Sequence, residues 1–118
     1  MTENSESVQA TAPRDIVVTN RSLENGNIEA WMNIIQSYEG VHPDHEVIIY
    51  YEGVAVNNMI SLYKMEKARN PNGFQLVVRA PDGNWKDVPK LYRFLVDGAS
   101  ANFERFIKKD VYQVLKLF

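Results

Sequence analysis

The side chains most able to do chemistry in this sequence are acidic, basic and imidazole groups, because the chain contains no cysteine. Thiolate catalysis, disulfides and cysteine-ligated metals are therefore excluded. The two histidines, His42 and His45, flank Asp44 in the segment GVHPDHE. Two imidazoles and a carboxylate are metal ligands, but Pro43 and the polar neighbours indicate a loop that leads into a strand. We expect a solvated connection here, with no metal and no cofactor.

A second group of candidates follows two apolar segments that are typical of buried strands. Glu52 and Gly53 follow EVIIYY, and Arg79 and Asp82 lie at and beyond the end of GFQLVV. In open α/β sheets, ligands bind just outside the carboxyl ends of the strands. An arginine beside the N–H groups of a helix start suits a phosphate, sulfate or carboxylate. These four residues are therefore candidate ligand-binding residues, unless Glu52 is merely solvated and Arg79 forms a surface salt bridge.

No catalytic motif accompanies these residues. The sequence lacks a glycine-rich phosphate loop, a Gly-x-Ser-x-Gly segment and a His-Glu-x-x-His segment. A carboxylate and an arginine alone define no reaction, so the sequence favours a binding role over catalysis. Trp85 in PDGNWKD is the candidate for contact with a partner, and the alternative is that its ring covers the end of a helix.

The elements that must position these side chains alternate between strands and helices. Apolar runs predict strands over 15–20, 46–51, 73–80 and 111–118, and helical periodicity predicts helices that begin near Ile28, Met59, Val88 and Ala101, with Asn27, Asn58, Asp87 and Ser100 as caps. This order is typical of βαβ units. The predicted fold is a single-domain, three-layer α/β/α structure with a mostly parallel sheet of about four to five strands.

Length and charge set limits on the class of protein. The chain has 118 residues, enough for one domain, and a net charge of −2. Residues 1–14 are polar and predict a disordered tail, which leaves 15–118 as the domain. The charge gives no reason to expect nucleic acid, and no apolar run reaches the ~18 residues that span a membrane. Because the N-terminus does not resemble a signal peptide, we expect a cytoplasmic protein.

Four segments, in this order, carry a resemblance to a known family: DIVVTN, EVIIYYEGVAV, GFQLVV and LVDGASANFERFIKKDVYQVLKLF. Together they resemble the DsrE/DsrF/TusD-like family of small α/β sulfur-relay proteins over nearly all of 15–118. The resemblance implies a homo-oligomer, trimer or hexamer, or a hetero-oligomer with a related subunit. Active members carry a relay cysteine near the position of Arg79, and a guanidinium cannot replace that nucleophile. The resemblance therefore implies a non-catalytic binding or assembly protein, such as an accessory subunit in a sulfur-metabolism or related complex.

Three alternatives stay open at this point. The segment from Gly53 to Val78 also resembles the core of STAS signalling domains, without their Asp-Ser-Ser-Gly stretch. An enzyme or anion-binding protein would use Glu52, Arg79 and Asp82. A nucleic-acid binder would use FERFIKKDVYQVLK, which interleaves aromatic and cationic residues, but helical spacing there favours an ordinary amphipathic helix.

Overall fold

The computed structural model describes residues 8–20, 25–56, 72–110 and 112–118. Within these ranges five strands form one sheet, and two α-helices and a short 3-10 helix pack together. The strands are β1 (Gln9–Ala10), β2 (Arg14–Ile16), β3 (Glu46–Tyr51), β4 (Val54–Ala55) and β5 (Phe74–Ala80). The helices are α1 (Asn25–Val41), α2 (Val88–Gly98) and the 3-10 helix Phe103–Phe106.

The sheet is curled and antiparallel throughout the described residues. Strand β5 pairs with β3 along one edge and with both β1 and β2 along the other. Strands β3 and β4 form an antiparallel hairpin. The prediction of a mostly parallel, three-layer α/β/α sheet is therefore wrong.

The error lies in the stretch EVIIYYEGVAV. Glu52 has a φ of 50° and Gly53 a φ of 85°, and two successive positive φ values are typical of a two-residue hairpin turn. The pair Tyr51–Val54 closes this turn, so the chain reverses where a crossover was expected. An apolar strand without alternation suggested a parallel sheet, but β3 is antiparallel and still buried on both faces.

The burial of β3 and β5 shows where the core lies. In antiparallel pairs, residues directly opposite each other point to the same face of the sheet. The pairs Val47–Val78 and Ile49–Leu76 belong to the main core. That core also contains buried residues of both helices: Ile28, Ala30, Trp31, Ile34, Ile35, Tyr38, Leu91 and Leu95. The described helices therefore cover one face of the sheet.

Helix α1 confirms the predicted apolar stripe. The spacing predicts one apolar face formed by Ile28, Trp31, Met32 and Ile35. Three of them are buried, and Met32 is partly buried against the core. The indole Nε1 of Trp31 donates a hydrogen bond of 2.7 Å to the carbonyl oxygen of Leu95, which joins α1 to α2. The Trp31 ring also meets Phe74 of β5 edge-on, with ring centroids 5.2 Å apart. One side chain thus holds both helices and the sheet in place.

The sequence predicted that Asn27 caps helix α1, and this prediction is wrong. It lies inside the helix and is fully buried. Its Nδ2 donates to the carbonyl oxygens of Gly98 at 2.8 Å and Ser100 at 3.0 Å. A buried amide must find such partners to offset the loss of its hydration. Asn27 therefore ties α1 to the end of α2.

Both ends of the described chain differ from the predictions. Gln9–Ala10 pairs with β5, so part of the predicted tail belongs to the sheet. The predicted helix after Ser100 is only the 3-10 helix, and residues 112–118 form no strand. Instead, the backbone N–H of Leu117 donates to Ser37 Oγ on α1 at 3.0 Å. The predicted helix from Met59 and its cap Asn58 fall in 57–71, outside the described ranges.

Within the part of the chain that the structure describes, no helix combines the length and hydrophobicity that crossing a membrane requires.

Candidate functional site

The antiparallel sheet separates the four predicted ligand-binding residues. Glu52 and Gly53 form the turn after β3, whereas Arg79 pairs with Glu46 at the beginning of β3. Six residues of extended strand span roughly 20 Å. The two pairs therefore lie at opposite ends of the β3–β5 ladder and do not form one anion pocket.

Arg79 and Asp82 have different partners within their own end of the sheet. The Nη1 atom of Arg79 lies 3.6 Å from Glu46 Oε1, and both side chains are half exposed. An exposed pair of this kind contributes at most about 1 kcal/mol, in agreement with the salt-bridge alternative. Asp82 instead accepts the backbone N–H of Asn84 at 2.9 Å and faces His45.

Tyr38, His45 and Asp82 form a hydrogen-bonded chain. The Tyr38 hydroxyl is 2.8 Å from His45 Nδ1, and His45 Nε2 is 3.2 Å from Asp82 Oδ1. An ionised carboxylate only accepts hydrogen bonds. The N–H at Nε2 of His45 therefore donates a hydrogen bond to Asp82. In the neutral imidazole, Nδ1 then accepts from the Tyr38 hydroxyl. Helix α1 supplies Tyr38, the loop after it supplies His45, and the loop after β5 supplies Asp82.

His42 makes a second contact between the same two loops. Its Nε2 donates to Asp87 Oδ2 at 2.7 Å. Its ring stacks at 4.6 Å between centroids on both Tyr38 and His45. Asp87 was predicted to cap α2, but its side chain makes no cap hydrogen bond and is used by His42. We call Tyr38, His42, His45, Asp82, Trp85 and Asp87 the histidine cluster.

Trp85 belongs to this cluster. It is half-buried, packs against the main core and meets the His45 ring edge-on at 6.0 Å. This position corresponds to the alternative in which the indole covers neighbouring structure. Its role in partner contact stays a prediction.

The electrostatics of the histidine cluster argue against an activated nucleophile. Burial, and then the negative charges of Asp87 and Asp82, raise the pKa of Tyr38 to about 12. A nucleophilic or basic tyrosine needs a lowered pKa and access to substrate, whereas Tyr38 is fully buried. The hydrogen bond from the Asn84 N–H, and then that from His45, lower the pKa of Asp82. The chain of three groups therefore acts as a structural tie between two loops.

The histidine cluster does not have the geometry of a metal centre either. His42 and His45 direct their Nε2 atoms to two different carboxylates. Among the residues that the structure describes, no three histidine, aspartate or glutamate side chains are grouped as metal ligands require.

An open groove lies between helix α1 and the last residues of the chain. Its volume is about 650 Å³. We call it the C-terminal groove, and it is lined by Asn33, Gln36, Ser37, Gly40, Val41, Lys108, Val114, Leu115, Lys116 and Phe118. The hydrogen bond from Leu117 to Ser37 holds the two walls together at one end. The Phe118 ring anchors the same end by packing edge-on against Tyr38 at 5.3 Å.

The walls of the C-terminal groove leave apolar side chains and backbone open to solvent. Val41 is 52% exposed on the helix wall, and Val114 is 74% exposed on the other. The backbone groups of 114–116 make no hydrogen bond within the described parts of the chain. Over the described residues, this wall therefore has backbone donors and acceptors that no other protein group uses.

Comparison with known proteins places the chain in a family. The sequence model described as "Uncharacterised Treponema protein C-terminal domain" matches residues 8–105. The chain belongs to this family. It is also 36% identical over 103 residues to an "Uncharacterized protein" of Treponema pallidum (strain Nichols), a match that covers 87% of this chain and 29% of that relative. The chain thus spans less than a third of the relative's length, and no solved structure matches it.

The family match corrects the predicted resemblance to DsrE/DsrF/TusD-like proteins. Neither the family nor the relative carries a description that concerns sulfur relay. The antiparallel sheet also removes the parallel strand at whose end Arg79 was aligned with the relay cysteine. The family match includes the histidine cluster and helix α1. It ends at residue 105, before the residues that line the second wall of the groove: Lys108, Val114, Leu115, Lys116 and Phe118.

Neither Tyr38 nor the C-terminal wall of the groove was predicted from the sequence. Tyr38, His42 and His45 are spaced four and three residues apart, as side chains on one helical face are. That spacing was a usable signal for the cluster, although α1 ends at Val41. The groove was not predicted because residues 111–118 were expected to form a strand whose side chains belong to the sheet.

Proposed function

We propose that this chain is a non-catalytic protein-interaction domain that binds an extended segment of a partner protein in the C-terminal groove. The observation that carries the proposal is the open backbone of 114–116 beside the exposed side chains of Val41 and Val114. An extended peptide can form main-chain hydrogen bonds with these backbone groups while its side chains occupy apolar subsites. The groove's volume of about 650 Å³ lies in the range of binding pockets.

Other parts of the molecule support binding over catalysis. The polar groups of the histidine cluster form hydrogen bonds with one another, and Tyr38 and His45 are buried. The expected part in sulfur metabolism rested on the family resemblance and is not retained. A cytoplasmic location belongs to the proposal. Self-association into a trimer or hexamer, or assembly with a related subunit, stays a prediction that native mass spectrometry tests.

Selection from a displayed library of random 12-residue peptides tests the proposal on the 118-residue chain. We expect a family of related peptides that bind the wild type and lose binding to Val114→Asp, which places a charge on the groove wall. Val8→Asp is the matched control, because Val8 is 44% exposed and lies outside the groove. Failure to select any peptide, or equal binding to Val114→Asp, would overturn the proposal.

A further inference from the structure

We infer that the segment bound in the C-terminal groove is acidic, with aspartate or glutamate side chains next to its apolar residues. This inference rests on the proposed function, because it names the chemistry of the partner at the same site. Two lysines, Lys108 and Lys116, line the groove, and among the residues that the structure describes no aspartate or glutamate does. A ligand with carboxylates would therefore be attracted by two positive charges.

The groove lysines differ from other cationic side chains in their partners. Over the described residues, neither Lys108 nor Lys116 forms an ion pair, whereas Arg79 pairs with Glu46 and Arg105 with Asp97. Lys108 Nζ donates only to the amide oxygen of Gln36, at 3.3 Å. This contact leaves the charge of Lys108 in place and holds the ammonium group at the groove.

The positive charge is local, since the whole chain has a net charge of −2. Residues 106–118 contain three cationic side chains, Lys108, Lys109 and Lys116, and one acidic side chain, Asp110. A cationic patch on an acidic protein selects anionic partners and disfavours cationic ones.

The composition of the groove favours an acidic peptide over a nucleic acid. Single-stranded nucleic acids bind to tracks of cations with aromatic rings that are free to stack on bases. Among the described residues that line the groove, the one aromatic ring is that of Phe118, and it packs against Tyr38 and Phe94. The remaining apolar lining consists of Val41, Val114 and Leu115, which suit aliphatic side chains.

Charge reversal tests this inference with the peptides selected above, synthesised with a fluorescent label. We expect the selected peptides to be rich in Asp and Glu. In anisotropy titrations, their affinity for Lys116→Glu should be about tenfold weaker than for the wild type, because an attraction becomes a repulsion. Lys108→Glu should weaken binding similarly. Lys86→Glu is the control, since Lys86 is exposed and outside the groove. Binding of the acidic peptides should also weaken as NaCl rises from about 50 to 300 mM.

The outcomes separate this inference from the proposed function. If the selected peptides contain no acidic residues and bind Lys116→Glu as tightly as the wild type, the inference of an acidic partner is wrong. The proposed interaction domain would then still stand. Failure of the wild-type chain to bind any peptide would overturn both. A labelled oligothymidylate that binds more tightly than the acidic peptides, and that Lys116→Glu releases, would overturn the inference in favour of nucleic acid.

Discussion

Tyr38 shows how a single side chain connects the elements of this domain. Its ring lies in the core, its hydroxyl binds His45, and Phe118 of the C-terminal segment packs on its face. The same residue therefore joins α1, the loop after it and one end of the groove. Removing the hydroxyl should leave the Nδ1 atom of a buried imidazole without its donor.

We predict that Tyr38→Phe lowers the free energy of unfolding by about 1–2 kcal/mol at neutral pH, the range for a lost buried hydrogen bond. Urea denaturation of the full chain measures this change. Tyr112→Phe is the matched control, because Tyr112 is 89% exposed and its loss should change stability by less than about 0.5 kcal/mol. Equal stability of the two variants would contradict the role of Tyr38.

Tyr38 also predicts a loss of stability at alkaline pH. Its pKa is raised from 10.0 to about 12 in the fold, so folding favours the neutral phenol. This contribution is fully present below pH 10 and is lost as the pH rises toward 12. Unfolding free energies at pH 9 and 11 should therefore fall more for the wild type than for Tyr38→Phe. Parallel decreases would exclude this titration.

Asp82 predicts the opposite dependence in acid. Its pKa is lowered from 3.8 in the fold, so its carboxylate contributes stability above that value, and this contribution is lost as the pH falls through the folded pKa. Asp82→Asn should flatten the decrease in melting temperature between pH 5 and 2. Asp44→Asn, in the exposed loop before His45, is the control and should keep the wild-type slope.

At the scale of elements, the β3–β4 hairpin decides the topology. Its turn depends on Gly53, whose φ of 85° is a conformation that residues with a Cβ adopt only with strain. The chain reverses at this glycine and β4 pairs back onto β3, so the sheet here continues by a hairpin and not by a crossover.

Two glycine substitutions test this account with opposite signs. Gly53→Ala should lower the free energy of unfolding by about 1 kcal/mol because of its positive φ. Gly40→Ala should raise it by up to about 1 kcal/mol, since Gly40 lies within α1 and an added Cβ would meet nothing within 4 Å. Chemical denaturation measures both. Stabilisation by Gly53→Ala would contradict the hairpin turn.

The sequence predicted elements better than their arrangement. Helix α1, strand β3 and strand β5 follow from local patterns of apolar residues, and the structure confirms them. The direction of β5 relative to β3 depends on pairing between distant residues, and a strand buried on both faces has the same apolar pattern in parallel and antiparallel sheets. Because the candidate site was inferred from parallel strand ends, Glu52 and Arg79 were assigned to one site although they lie at opposite ends of the ladder.

For the whole molecule, the core and the surface have separate tasks. The histidine cluster and the Trp31 contacts hold the helices and loops against the sheet. The C-terminal groove leaves apolar side chains, backbone groups and two lysines available for binding. No local sequence motif indicates such a groove. Its lining residues lie within 33–41, at Lys108 and within 114–118, and they meet only in the folded chain.

The most direct test of the interaction domain is an amide chemical-shift titration of the 118-residue chain with a peptide from the selection. We expect the largest shifts on residues 36–41 and 114–118, and we expect Val114→Asp to abolish them at the same peptide concentration. Shifts that centre on the turn at Glu52 and Gly53, or on Arg79 and Glu46 at the other end of the ladder, would contradict the groove as the binding site.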